Sequence, residues 1–248
     1  MSSYNDFALF YDRFTTDVDY SARTDYLCEI FKKYDKMPTL LLDVACGTGN
    51  FSLEFARRGV SVIGTDISED MLSCAREKSS NENADILFLC QAAQDLDLYG
   101  TVDGAVCCLD SINHITNYNT LKKAFKKISL FLEKDRLFIF DVNTEYKQEC
   151  VLGDNTFVLE EQDVFCVWQN EYDKRQKTTY INIDFFENKG NNSYKRYSEN
   201  FCERVYSDEQ LINALTAAGL RVEKIFGENS FKKPTKNTTR KIFVARKV

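Results

Sequence analysis

The chain has 248 residues, 44% of them hydrophobic, and a formal net charge of −6. That suffices for one large domain with a full core, and the acidic balance argues against a nucleic-acid partner bound through a general basic face. The start, Met1-Ser2-Ser3-Tyr4-Asn5-Asp6, lacks the pattern of a secretory signal, and no apolar run reaches the roughly 18–20 residues of a membrane span, so a cytoplasmic protein with no membrane partner is expected.

Helical spacing of Tyr20, Leu27, Ile30, Phe31 and Tyr34 predicts a helix over 20–35, with Pro38 marking its stop. Residues 39–44 read as a buried strand that runs into the glycine turn Gly47-Thr48-Gly49. A helix over 50–58 follows, closed by Gly59, with Arg57 and Arg58 where the helix dipole favours cations. A second strand covers 60–65, and Ser68 caps a helix to about 78, with Glu69 and Asp70 in its first turn. Short apolar runs at 86–90, 102–109 and 137–140 predict three more strands, and 119–132 reads as an amphipathic helix built on Leu121, Phe125, Ile128 and Phe131. Apolar strands alternating with helices describe an α/β fold, a doubly wound parallel sheet covered on both faces.

Near residue 145 the pattern changes. From about 156 to 206, aromatic and β-branched residues alternate with polar ones between turn clusters at 172–175 and 188–192, which predicts antiparallel hairpins. Ser207 then opens a helix closed by Gly219, and strands near 221–226 and 241–247 finish the chain. The organisation expected is a ligand-binding domain made of 1–145 and 207–248, with 146–206 as a β insertion.

Nine cysteines contain no Cys-x-x-Cys pair and His114 is the sole histidine. The cysteines therefore read as free thiols packing as small hydrophobes, and no metal site is expected. The basic run Lys232, Lys233, Lys236, Arg240 and Lys241 reads as a solvated loop, with an anionic acceptor or RNA contact as the alternative. Trp168 and the aromatic residues around it read as core, with a wall of an acceptor pocket as the alternative.

The first two strands each end in an acid, Asp43 and Asp66, on either side of the glycine turn. Gly47-x-Gly49-x-x-Ser52 is an imperfect match to a dinucleotide fingerprint, and an NAD-dependent oxidoreductase is a competing reading. Against it, a carboxylate at Asp43 would repel a pyrophosphate but would suit a nucleoside bearing positive charge. At the second strand end Asp66 can accept hydrogen bonds from ribose hydroxyls. This combination points to S-adenosylmethionine.

Asp43-Val44-Ala45-Cys46-Gly47-Thr48-Gly49 resembles motif I of the class I S-adenosylmethionine-dependent methyltransferases, and Asp66-Ile67-Ser68 with Met71 resembles their second motif. The chain is especially similar to a bacterial small-molecule branch, through Tyr4, Phe7-Ala8, Tyr11-Asp12, Cys108 to Asn113, Phe140 to Asn143 and Arg204 to Ser207. The resemblance implies a Rossmann-like sheet of seven strands, the last antiparallel, and a β insertion roofing the pocket of a small-molecule acceptor. It implies cofactor contacts from Tyr11, Tyr20, Asp43, Ala45, Gly47, Gly49, Asp66, Ile67, Met71, Ala92, Ala93 and Leu109. One departure is Ala92, where the family often has an acid that meets the adenine amino group, so a weaker cofactor site is expected and a protein that binds without turnover is a further reading. His114 is either a general base or a residue of the pocket rim, and Asp110 and Asn113 shape that rim or orient the acceptor.

Overall fold

The computed structural model describes residues 8–191 and 193–248, so Tyr4, Phe7 and Asn192 lie outside the described residues. In chain order the elements are α1 (Ala8–Phe14), α2 (Tyr20–Tyr34), β1 (Leu40–Val44), α3 (Asn50–Arg57), β2 (Ser61–Asp66), α4 (Glu69–Asn81), β3 (Ile86–Cys90), β4 (Gly104–Cys107), α5 (Tyr118–Phe131) and β5 (Leu137–Asn143). Then come β6 (Thr156–Glu161), β7 (Val164–Asp173), β8 (Thr178–Gly190), β9 (Ser193–Arg204), α6 (Asp208–Ala217), β10 (Leu220–Gly227) and β11 (Arg240–Lys247).

Seven strands form one sheet in the order β10-β11-β5-β4-β1-β2-β3. Within it β11 alone runs against its neighbours, β5 and β10. Helices cover both faces, so the central strands are apolar on both sides, and β5 is buried along its whole length. On one face α5 sets Leu121, Phe125 and Ile128, all fully buried, against Phe138 and Phe140. Each such side chain contributes about 1.5–3 kcal/mol. On the other face Ile30 and Phe31 of α2 and Phe55 of α3 pack on Leu41, Val106 and Ile139. No helix among the described residues is long and apolar enough to cross a membrane, and the nine cysteines are free thiols.

The second sheet is antiparallel, in the order β6-β7-β8-β9. One of its faces packs on α1, where Phe10 stacks on Phe185 at 4.7 Å between ring centroids. Local signals fix the helix starts: Ser68 Oγ accepts from Met71 N at 3.3 Å, and Ser207 with Gln210 forms a reciprocal capping box before α6.

Some boundaries differ from the sequence reading, and two elements are new. The fourth strand shrinks to Gly104–Cys107, because Asp103 turns its carboxylate onto the N–H groups of Thr39 and Leu40, at 2.9 and 2.7 Å. The fourth helix runs on to Asn81. Helix α1 and a π-helical turn at Lys147–Leu152 were not expected, since both are too short to show a period.

Candidate active site

The site begins where β1 ends. Asp43 is 1% exposed, and its Oδ2 accepts from Ser52 Oγ at 2.6 Å. Burial pushes this carboxyl up to about 7, the Ser52 hydrogen bond opposing and the charge of Asp66 adding to the rise. An acid held there is an anion short of a cation. Beyond it the chain turns through Ala45 and Gly47, at φ +56° and +54°. A Cβ at Gly47 would meet nothing within 4 Å, so the turn presents bare backbone to open space. A Cβ at Gly49 would lie 2.9 Å from Ala75 Cβ. Gly49 therefore serves the close approach of the loop to Ala75 of α4 and Phe88 of β3, and it lines neither the crevice nor its inner recess.

Asp66, at the end of β2, clasps two loops. Its Oδ2 accepts from Gly47 N at 2.9 Å and its Oδ1 from Ser68 N at 2.8 Å. Burial raises its carboxyl, against backbone hydrogen bonds from Ser68, Gly47 and Ile67. The two oxygens together keep lone-pair capacity for a ligand.

Just past the end of β4 the backbone is strained, and a carboxylate of β5 holds it. Leu109 and Asp110 both adopt φ +53°, and both N–H groups donate to the Asp141 carboxylate, at 2.8 and 2.6 Å. Arg240, 6% exposed, reaches in from β11 and pairs with Asp110 Oδ1 at 2.7 Å and Asp141 Oδ1 at 2.5 Å. Against the cost of burial, Arg240, Lys147 and His114 hold the Asp110 carboxyl well below the usual carboxylate range. The basic run is thus not wholly a solvated loop. Arg240 is a buried ion-pair centre, and Lys241 pairs with Asp208 at 2.7 Å.

A crevice of about 1130 Å³ joins these strand ends to the second sheet. Tyr11, Ala45, Gly47, Asp66, Ile67, Met71, Ala92, Ala93, Leu109 and His114 all line it, so ten of the expected residues meet in one cavity. Asp43 and Tyr20 line a smaller inner recess together with Tyr11, Gly47 and Leu109. The far wall is Trp168, Phe185 and Phe201 of the second sheet. Trp168 is therefore a wall residue, and its Nε1 donates to Asn170 Oδ1 at 2.5 Å. Helix α1 closes one side: Asp12 accepts from Thr48 Oγ1 at 2.7 Å and Asn50 Nδ2 at 2.9 Å, and Arg13 pairs with Asp163 at 2.7 Å.

His114 stands across from Glu203, a residue of β9, with Nε2 3.8 Å from Oε1. Its ring lies 5.2 Å from that of Phe201. Glu203 Oε2 accepts from Asn143 Nδ2 at 3.0 Å and from Gln148 Nε2. Ser52, Arg240 and Glu203 were missed as site residues in the sequence. Arg240 carried a usable signal, since it stands just before the continuous apolar run Ile242-Phe243-Val244-Ala245 and so begins a strand. Glu203 carried none, because only the fold of the second sheet brings it to His114.

The family described as a methyltransferase domain matches residues 41–135, from β1 through α5. A crystal structure of an S-adenosylmethionine-dependent methyltransferase from Clostridium acetobutylicum ATCC 824 superimposes with a TM-score of 0.88, at 33% identity over 99% of each chain. The protein YqeM of Bacillus subtilis (strain 168), provisionally named a methyltransferase, is 29% identical over 98% of this chain and 97% of its own. A Streptomyces fradiae protein, dTDP-3-amino-3,6-dideoxy-alpha-D-glucopyranose N,N-dimethyltransferase, is 24% identical over 83% of this chain and 79% of its own.

Proposed function

The chain belongs to the class I S-adenosylmethionine-dependent methyltransferases, and from that premise we propose that it transfers the methyl group to a nitrogen or oxygen of a small molecule. S-adenosylmethionine supplies a methyl group that is already activated by its sulfonium. The family sets aside the nicotinamide oxidoreductase and the binding protein without turnover.

The residues fit the cofactor. A buried carboxyl held near 7 gains most from a cationic ligand, so we assign Asp43 to the donor's positive groups, directly or through water. Asp66, with lone pairs to spare, is assigned to the ribose hydroxyls, Ile67 and Met71 to the adenine faces, and the backbone at Ala92 and Ala93 to the adenine edge. The backbone of Ala45, Gly47 and Leu109 borders the same ligand, and Tyr11 and Tyr20 cover it. Residues 146–206 are assigned as the roof of the acceptor pocket over a cofactor domain made of 1–145 and 207–248.

One observation carries this reading: the wall formed by Trp168, Phe185 and Phe201 faces the same crevice as Gly47, Asp66 and Leu109. A small acceptor held against the aromatic wall would meet the donor in a space from which water is excluded, and alignment and exclusion supply much of the acceleration. His114, on the shared wall, is placed to take a proton from the acceptor. The Streptomyces relative, named for an amino sugar nucleotide, supports an acceptor of modest size. The test is formation of S-adenosylhomocysteine with a panel of small amines and hydroxyl compounds. With an acceptor found, Trp168→Ala should raise its KM at least about fivefold, from the lost apolar contact, and leave S-adenosylhomocysteine affinity unchanged. An unchanged KM would remove the second sheet from the acceptor pocket.

A further inference from the structure

We infer that Glu203 is the anionic anchor of the acceptor site and holds a cationic amine against His114, so that the acceptor class is an amine and not a neutral hydroxyl compound. The inference rests on the methyltransferase reading above and narrows it.

The charge balance around the site is the first argument. Glu228 is paired with Arg23 at 2.6 Å. Asp110 and Asp141 share Arg240, whose Nε also lies 3.4 Å from Glu228 Oε1. Lys147 gives its Nζ to the neutral Asn143 Oδ1 at 2.9 Å. That leaves Asp110, Asp141 and Glu203 facing Arg240 and Lys147, one carboxylate in excess. Among the described residues Glu203 is the member of that trio with no lysine or arginine within ion-pair distance, and it is only 4% exposed. A buried carboxylate in that position is costly until a cation joins it. Burial and then the charge of Asp110 push the Glu203 carboxyl upward, with His114, Asn143 and Lys147 opposing, and a bound cation would reverse the shift.

Geometry is the second argument. Oε2 is fixed by Asn143 and Gln148, and Gln148 is itself oriented by Thr179 Oγ1, which donates to its Oε1 at 2.5 Å. With one oxygen fixed, the other is aimed at His114, and the 3.8 Å between Oε1 and Nε2 exceeds a direct hydrogen bond of about 3.2 Å. One nitrogen set to the side of the pair, about 3 Å from each, can reach both atoms. An ammonium has the two N–H groups this requires and brings the missing charge. A hydroxyl donates one hydrogen and leaves Glu203 uncompensated.

The same three side chains, Asp110, His114 and Glu203, could be read as ligands of a divalent cation. Asp110 is already committed to Arg240 and to Asn143 Nδ2, the latter at 2.7 Å. A second dense positive charge beside Arg240 and Lys147 would be repelled, so the amine is favoured.

In the reaction the ammonium gives one N–H proton to the imidazole of His114, and the bonding pair stays on nitrogen. That pair forms the new N–C bond as the methyl carbon leaves sulfur, and the C–S pair remains on sulfur. The proton passes from the imidazole to water. Glu203 balances the charge of the ammonium before transfer and of the methylated ammonium after it, once the imidazolium proton has left to water.

The test uses the whole protein saturated with S-adenosylhomocysteine, with benzylamine and benzyl alcohol as probes at neutral pH. With a single histidine in the chain, the His114 Cε1–H resonance is unambiguous. Benzylammonium should shift that resonance and bind at least about tenfold tighter than the alcohol, the size of one charge-assisted hydrogen bond. Glu203→Gln keeps an oxygen for Asn143 and Gln148 and replaces the charged oxygen facing His114 with an amide NH2; it should abolish the preference while binding S-adenosylhomocysteine as the parent does. Equal affinity for the two probes, no binding of either, or a preference that survives E203Q overturns the proposal. So does Mn²⁺ or Zn²⁺ occupying the site in place of the amine. The comparison of amine with alcohol needs no variant, so it decides even if E203Q fails to fold. Failure of the parent to bind S-adenosylhomocysteine would instead strike at the methyltransferase reading.

Discussion

Replacing Asp43 by Asn should make the cofactor-free protein more stable and its cofactor site worse. The carboxyl titrates near 7 in the fold against an ordinary 3.8. Because its value is raised, the native state keeps a proton that the unfolded chain has released. The favourable contribution of this group is therefore complete below pH 3.8 and is lost as pH rises to about 7. Above that pH the charged side chain costs about 4 kcal/mol, at about 1.4 kcal/mol for each pH unit between the two values. Asn still accepts the Ser52 hydroxyl but brings N–H groups to satisfy, at about 1 kcal/mol. The net expectation is about 3 kcal/mol of added stability at pH 8, or about 6 °C or more in Tm for a chain of this length. At pH 5 the parent's Asp43 is largely protonated, and the difference should fall below about 1 kcal/mol. Urea unfolding of both proteins without cofactor, at the two pH values, measures this. The same variant should lose about tenfold or more in affinity for S-adenosylmethionine, having lost the partner of a cation. A D43N protein that is no more stable than the parent at pH 8 would refute the claim that this carboxylate is kept at a cost for the ligand.

Asp66→Ala should cut affinity for S-adenosylhomocysteine by about tenfold or more through lost hydrogen bonds; an unchanged calorimetric affinity would refute the ribose assignment. Gly47→Ala and Gly49→Ala should separate function from packing. The first places a Cβ in open space and should weaken cofactor binding with about 1 kcal/mol of destabilisation. The second drives a Cβ to within 2.9 Å of Ala75 and should destabilise by about 2 kcal/mol or more, and equal stability losses in urea would contradict the distinction. Arg240→Met leaves Asp110 and Asp141 without their shared cation and should cost about 3–5 kcal/mol; a loss under about 1 kcal/mol would mean that the buried pair does not hold the strand ends together.

The central sheet was legible because its signals are local. Apolar runs of strand length, glycine turns and caps such as Ser68 and Ser207 act within a few residues, and they placed Asp43 and Asp66 at neighbouring strand ends. The hairpins of the second sheet were legible for the same reason, through alternation and turn clusters. Arg240 was misread with its lysine neighbours because a run of like charges looks solvated until a partner is known. Its partners, Asp110 and Asp141, arrive through the pairing of β11 with β5.

By itself, then, the sequence determined most of the element types, the order of the strand-loop-helix units and the family to which the chain belongs. A strand ending in an acid before a glycine turn carries its own geometry. The tertiary structure alone decided which residues share the crevice, where Glu203 and Trp168 come from the second sheet and His114 from the loop after β4. Their chemistry depends on distances between segments remote in the chain, and burial and charge at such a junction exist only once the two sheets have packed.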